Sequence, residues 1–383
     1  MKITRVETIL LSVPPPEPVR WSGGVLTTIH ASLVQVHTDE GVSGLGEPYL
    51  GIFAPEATRG IVESLEPLLV GEDPTQVTRL HHKMQAGTLF WARNGAGLAV
   101  IGALETALWD ILGKLRGQPV YELLGGKAHD RLPLYASGGL DKPIEPLVEE
   151  MKEYRAQRLK AVKVRIGSGL KLDVVKVERV REALGPDIDL MVDAVQGHNP
   201  EPWSAGQAIE AARALEPYQI RWFEEPCAAT DHSGYAHVRR HTSIPVAGGE
   251  SSVSVHEFRR FFEAGALDIA QPDTAHAGGI IECRKIAALA ESYGVRLAFH
   301  SWASAAMLAP NYHLAFATPS CDILEYPTWG YPLIQALFTE PLRIEQGYVY
   351  PPTAPGLGIH LPEEVRRKYP FRGGLGAVMG RSG

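Results

Sequence analysis

An α/β barrel set behind an α+β domain is the fold class that the sequence predicts, on two observations. From residue 131 onward, short apolar runs alternate with helical patterns, which implies a parallel sheet. Several of these runs end on a charged residue: Lys163 and Arg165 in AVKVRIG, Asp193 in LMVDA, Glu224 in IRWFEEP and Glu250 in IPVAGGE, then Asp273 in LDIAQPD, His300 in VRLAFH and Glu325 in DILEYP. From Arg165 onward these residues recur every 23 to 31 positions, about the length of one strand–helix unit. In a βα-barrel the strand C-termini converge on one face, which carries the chemistry.

A chain of 383 residues fits two domains better than one. Residues 1–13 alternate as a strand, and 14–30 (PPPEPVRWSGGVLTTIH) read as a long loop broken by Pro and Gly. A hairpin is expected over 31–48 and helices over 55–70 and 74–86. The strongest helix is 95–116, with Leu104, Leu108, Ile111, Leu112 and Leu115 as one apolar stripe and Gly117 as its stop. An N-terminal α+β domain thus spans 1–130. Eight strands follow, near 132–136, 161–165, 188–193, 219–224, 244–249, 267–271, 296–300 and 322–325, and eight imply closure into a barrel. Helical patterns fill the gaps, the sixth of them over 278–292. The barrel occupies 131–325. The segment 326–383, with strand-like IEQGYVY and the PPTAPGLGIHL stretch, is expected to return to the first domain and to fray over 373–383.

The net charge is −7 and no basic cluster stands out, which argues against nucleic acid. Residues 1–13 contain charges and do not read as a signal peptide. No membrane span is expected. Cys227, Cys283 and Cys321 lack metal or redox spacing and fit a reducing cytoplasm.

Asp193, Glu224 and Glu250 end three successive strands. Uncompensated, they would repel and raise one another's pKa; a hard divalent cation, Mg²⁺ ahead of Mn²⁺, relieves that conflict. Spacing alone leaves Glu224 and Glu225 both open as ligands, because alternation points them to opposite sides. Asp273 and His300 end neighbouring strands. A carboxylate on one imidazole nitrogen fixes the tautomer and leaves the other as a base. Lys163 and Arg165 share one face of their strand, the barrel interior, where a cation binds a carboxylate or receives a proton. Glu325 faces the opening and donates a hydrogen bond if protonated.

These motifs, together with TDEGVSGLGE, ALWDILGK, VDA, WFEEP, GGE, QPD, the following GG pair and PGLGI, resemble the enolase superfamily, in particular the mandelate racemase/muconate lactonizing enzyme family. The resemblance implies a modified TIM barrel, (β/α)7β, under a capping domain built from the N-terminal region and the C-terminal tail. It implies Mg²⁺ on Asp193, Glu224 and Glu250, a His300–Asp273 base, and Glu325 as an electrophilic hydrogen-bond donor. It also implies α-proton abstraction from a small carboxylate to a metal-stabilised enediolate.

Two departures bear on the reaction. The racemase-like Lys-x-Lys is Lys163-Val164-Arg165 here, and arginine is a poor proton shuttle. One good base favours dehydration of an acid sugar to a 2-keto-3-deoxy acid; racemisation with Lys163 as second base, or lactone cycloisomerisation, is the alternative. The Asn often found two residues after the first ligand is Val195, with Gln196 or His198 as candidate replacements. Trp21, Tyr49, Phe53, Trp302, Tyr326 and Trp329 are further candidates for the pocket. A cytoplasmic homo-oligomer is expected by analogy.

Overall fold

The computed structural model describes residues 1–374 and 377–379. Strand β1 (Ile3–Val13) would expose unpaired backbone alone. It pairs antiparallel with a later strand after an excursion through two short ones, β2 (Val19–Trp21) and β3 (Gly24–Leu26). The expected 14–30 loop therefore contains a hairpin, turned at Ser22–Gly23. Three-residue strands are too short for alternation to reveal them. β4 (Ile29–Thr38) lies between β1 and β5 (Ser43–Gly46) in a three-stranded sheet. Helices Pro55–Leu65 and Val77–Gly87 follow.

The helix Gly95–Arg116 departs from the single-stripe expectation. It is buried all round from Gly97 to Ile111, whereas Leu115 is 38% exposed. One side lies on β5 so closely that a methyl on Gly44 or Gly46 would strike the Ala107 or Ala103 carbonyl. The other side meets the barrel, where a methyl on Gly102 would strike Gly279. Protein thus covers its apolar length. Two buried carboxylates on this helix bind backbone amides elsewhere. Asp110 accepts from Leu45 N (3.1 Å) and Leu357 N (2.9 Å). Glu105 accepts from Ile280 N (2.8 Å) and Ile281 N (3.1 Å), the open end of the helix Ile280–Ser292. The ALWDILGK, PGLGI and GG motifs thereby belong to one joint between cap, tail and barrel.

The barrel strands are β6 (Leu132–Ser137), β7 (Ala161–Arg165), β8 (Asp189–Asp193), β9 (Ile220–Glu224), β10 (Val246–Gly248), β11 (Ile269–Ala270), β12 (Arg296–Leu297) and β13 (Leu324–Pro327). Neighbours pair parallel from β6 to β12. β13 pairs parallel with β6, and a parallel bridge from Leu297 to Cys321 closes the ring. The helix predicted over 278–292 is Ile280–Ser292; a short helix, Thr274–Ala277, precedes it and is separated from it by Gly278 and Gly279, at φ of 113° and 94°.

Inside the ring, Tyr135, Ala161, Met191, Trp222, Ala247, Ile269, Ala298 and Ile323 form one buried cluster. Two residues beyond seven of them stand Ser137, Lys163, Asp193, Glu224, Gln271, His300 and Glu325. Side chains two apart share a strand face, so the polar layer rests one step above an apolar floor.

The tail runs through β14 (Ile344–Glu345) and β15 (Tyr348–Val349), a hairpin where one strand was expected, turned at Gln346 and Gly347 with φ of 55° and 75°. β15 pairs with Leu132–Pro133 at the foot of β6, so the tail docks first on the barrel. It then bonds to the long helix through Leu357 and bridges Pro370 to Leu11. Of the stretch expected to fray, residues 375, 376 and 380–383 lie outside the described residues; β16 (Ala377–Met379) pairs with β3.

Candidate active site

Asp193, Glu224 and Glu250 each present a carboxylate oxygen within 4.8 Å of the others. Burial and the neighbouring Glu224 push Asp193 up to about 7. Burial and Glu225 push Glu250 up to about 7 as well. Buried acids in that condition suit a cation that neutralises them. An all-oxygen donor set fits a hard divalent metal. Glu224 is held by Trp222 Nε1 at 2.8 Å and Lys163 Nζ at 2.5 Å.

Glu225 lies just past the strand end at φ 46° and meets other partners. Its Oε2 is 3.4 Å from His198 Nδ1, and Ser251 Oγ donates to its Oε1 at 3.4 Å. His198, Glu225 and Glu250 form a second group with metal-ligand spacing. It contains only two carboxylates plus an imidazole, a softer set than Mg²⁺ selects.

His300 Nδ1 and Asp273 Oδ2 are 2.8 Å apart. Asp273 Oδ1 also accepts from Ala275 N and Asn311 Nδ2, both at 2.9 Å. Asn311 Nδ2 further bonds the His300 carbonyl at 2.8 Å. Both partners of the dyad are thus fixed from the helix Ala305–Phe316. His300 Nε2 is left toward the cavity, 3.7 Å from Glu250 Oε2. Burial alone would lower the His300 pKa; Glu250, Glu325 and Asp273 together override it and push it up to about 10. A cation on Glu250 would remove the first of those pulls.

The two cations of β7 part company. Lys163 is fully buried and ion-paired to Glu224, to Glu325 at 3.0 Å and to Asp193 at 3.6 Å. Arg165, one step nearer the mouth, lines the cavity. Its fork is already taken by Gly138 O (2.7 Å) and Ser137 Oγ (3.2 Å), and its Nε lies 3.5 Å from Asp193. Glu325, expected as a hydrogen-bond donor, stands as an acceptor. Burial favours its acid form, but Lys163 and His300 outweigh that and hold it down at about 2, and it accepts from Ser301 N at 2.8 Å.

A cavity opens above this layer, with Arg165, Asp193, His198, Glu250 and His300 on its lower side. Trp21, Tyr49, Phe53 and Trp302 also line it. Tyr49 stands edge-on to His300 with ring centroids 6.1 Å apart. Trp302 is backed by Trp329 at 4.7 Å. Two expected contacts lie elsewhere. Gln196 is buried and folds its own loop, donating to Ala194 O (2.6 Å) and accepting from Trp203 N (2.9 Å). Tyr326 alternates away from Glu325 into an outer groove, where Gln335 donates to its hydroxyl. Ser137 and Gln271 occupy strand-end positions of the same layer but, being uncharged, do not stand out in the sequence. Asn311 left no signal, standing beside Tyr312 and His313 in a mostly apolar helix.

Residues 5–125 match the family model described as mandelate racemase/muconate lactonizing enzyme, N-terminal domain, and residues 146–365 match enolase C-terminal domain-like. D-galactonate dehydratase of Ralstonia nicotianae is 36% identical over 381 residues, covering 95% of this chain and 93% of that protein. D-galactarolactone cycloisomerase of Agrobacterium fabrum is 33% identical, covering 96% and 99%. A solved racemase from Streptomyces coelicolor A3(2), with bound magnesium, superposes at a TM-score of 0.87 with 30% identity, covering 96% and 99%. The capping sheet, the closed barrel and the strand-end carboxylates therefore have a common origin: this chain is an enzyme of the mandelate racemase/muconate lactonizing enzyme family, in the enolase superfamily.

Proposed function

We propose that the enzyme removes the α-proton of a small acid-sugar carboxylate and expels the oxygen on the neighbouring carbon, dehydrating the substrate to a 2-keto-3-deoxy acid. One observation carries this reading: the His300–Asp273 dyad opens onto the same cavity as Asp193, Glu250 and Arg165. Mg²⁺ held by Asp193, Glu224 and Glu250 would supply Lewis-acid stabilisation of the charge that develops on the substrate carboxylate. Bound magnesium in the Streptomyces relative supports that choice.

The protein's own groups do the rest. Arg165 places positive charge on the cavity wall where the carboxylate enters. Asp273, held by Asn311, keeps the proton on His300 Nδ1, so Nε2 accepts the α-proton. His300 then returns that proton to the departing hydroxyl, which leaves as water. Lys163 lies beneath the ligands and keeps them charged-paired, which disfavours its use as a second base and hence a racemase. Cycloisomerisation is the second reading, favoured by the Agrobacterium relative and by a site that needs only one base for it. The three buried free cysteines accord with a cytoplasmic setting. Exposed Leu89, Phe90 and Trp91 accord with assembly of several copies.

The test is incubation of the purified enzyme and Mg²⁺ with a panel of aldonic and aldaric acids in D₂O. NMR should show a 2-keto acid. Deuterium at C2 with no keto acid would replace elimination by racemisation.

A further inference from the structure

The upper wall of the cavity differs sharply in chemistry from its floor. Val19, Trp21, Leu26, Phe53, Leu140 and Trp302 make it up, three of them from the β2–β3 hairpin that the capping domain lays over the mouth. Val195, at φ 51° beside Asp193, adds an isopropyl group where the cavity reaches the ligands. Arg165, Asp193, Glu250 and His300 lie at or just past strand ends, and His198 lies in the loop after β8. His198 has little left to offer a distal hydroxyl, since Nδ1 faces Glu225 and Nε2 pairs with Ser251 Oγ at 3.1 Å. Tyr49 stands at the reacting end, against His300. The Trp21 ring lines the wall, while its indole N–H is itself buried and has no partner among the described residues.

We infer that the substrate is a 2-hydroxy acid with its leaving oxygen on C3 and a hydroxyl-poor face beyond it, either deoxygenated or closed into an anhydro ring, rather than an open-chain hexonate. The inference rests on the α-proton reading above and narrows its substrate. A hexonate carries hydroxyls along its distal carbons, and each one pressed against this wall loses its hydrogen bonds to water without replacement. A hydrophobic pocket disfavours one added hydroxyl by up to roughly 10²-fold. A ring ether oxygen carries no O–H that would need an acceptor on this wall.

The chemistry balances for both forms. His300 takes the proton from C2; the C2–H electron pair becomes the C2–C3 double bond as the C3–O bond breaks. The oxygen leaves with its electron pair and takes the proton back from His300. A free hydroxyl departs as water, whereas a ring oxygen stays on the chain as a new hydroxyl and the product is an isomer. The enol in either case becomes the 2-keto acid.

The experiment compares kcat/KM of the Mg²⁺-loaded enzyme across matched sets of several configurations: an aldonate, its 6-deoxy form and its 3,6-anhydro form. The readouts are 2-keto acid and C2 deuterium by NMR. In the configuration that reacts, the 6-deoxy or anhydro acid should exceed the parent by at least tenfold, chiefly through KM. Leu140→Asn should shrink that ratio by improving the parent. A parent aldonate that reacts as well as its partners, or a ratio untouched by Leu140→Asn, overturns the inference and leaves α-proton abstraction intact. Absence of both keto acid and C2 deuterium with every acid overturns the two together.

Discussion

Lys163 Nζ stands 2.5 Å from Glu224 Oε1, and neither side chain reaches solvent. The same ammonium is 3.0 Å from Glu325. Charges buried in this way stabilise only as a set, because removing one partner strands the others. Lys163→Met should therefore destabilise the metal-free protein by about 3–5 kcal/mol. Mg²⁺ should restore much of that loss, since it supplies positive charge to the same carboxylates. Thermal unfolding with and without Mg²⁺ measures both quantities. A variant as stable as the wild type without metal would show that the ion pair contributes nothing.

Adjacent Glu224, the last residue of its strand, and Glu225, just past it at φ 46°, separate into two different neighbourhoods. Glu224 lies with Asp193 and Glu250, while Glu225 faces His198 and Ser251. Glu224→Gln should weaken Mg²⁺ binding by 100-fold or more, whereas Glu225→Gln should cost about tenfold or less, as for a group that only orients its neighbours. Isothermal titration calorimetry checks this, and equal losses would refute the assignment.

The His300 imidazole is held by Asp273 and, through Asn311, by the helix behind it. As the proton acceptor it should contribute roughly 10²–10⁴-fold to turnover. His300→Asn should abolish deuterium uptake at C2 while Mg²⁺ affinity changes little. Exchange at the wild-type rate in that variant would show that another group removes the proton.

How far the site was legible follows from what alternation encodes. A two-residue period states which side of a strand a residue faces, so Asp193, Glu224, His300 and Glu325 could be placed in the barrel interior from the sequence. It does not state depth. Lys163 and Arg165 share a side, yet one is sealed under the carboxylates and the other reaches the cavity. Nor does it state charge: the ionisation of Glu325 depends on Lys163, which comes from a strand far away in sequence. Short strands such as β2 and β3 carry too few residues for a period. The helix Gly95–Arg116 misled for the opposite reason: packed on both sides, it reads as a stripe only where its end emerges at Leu115.

Away from the site, His313 sets a limit on acid stability. It is fully buried, and its Nδ1 accepts from Tyr121 N at 3.1 Å, which requires the neutral ring. Burial pushes its pKa down to about 4, against about 6.5 in an unfolded chain. Between those values the unfolded chain binds a proton that the folded protein refuses, so stability rises with pH across the window. The contribution is complete above about pH 6.5 and is lost as the pH falls toward 4. A shift of this size corresponds to roughly 3 kcal/mol. Buried His81, lowered to about 4 by the same cause, adds a similar dependence, and the raised carboxyl of Glu105 acts in the opposite sense, so the total slope is not diagnostic. The diagnostic quantity is a difference. His313→Gln keeps an acceptor for Tyr121 but does not titrate. Between pH 7 and pH 4 the wild type should lose roughly 3 kcal/mol more unfolding free energy than this variant. Denaturant titrations at a series of pH values provide the comparison, and parallel curves would mean that His313 is protonated without penalty in the folded protein.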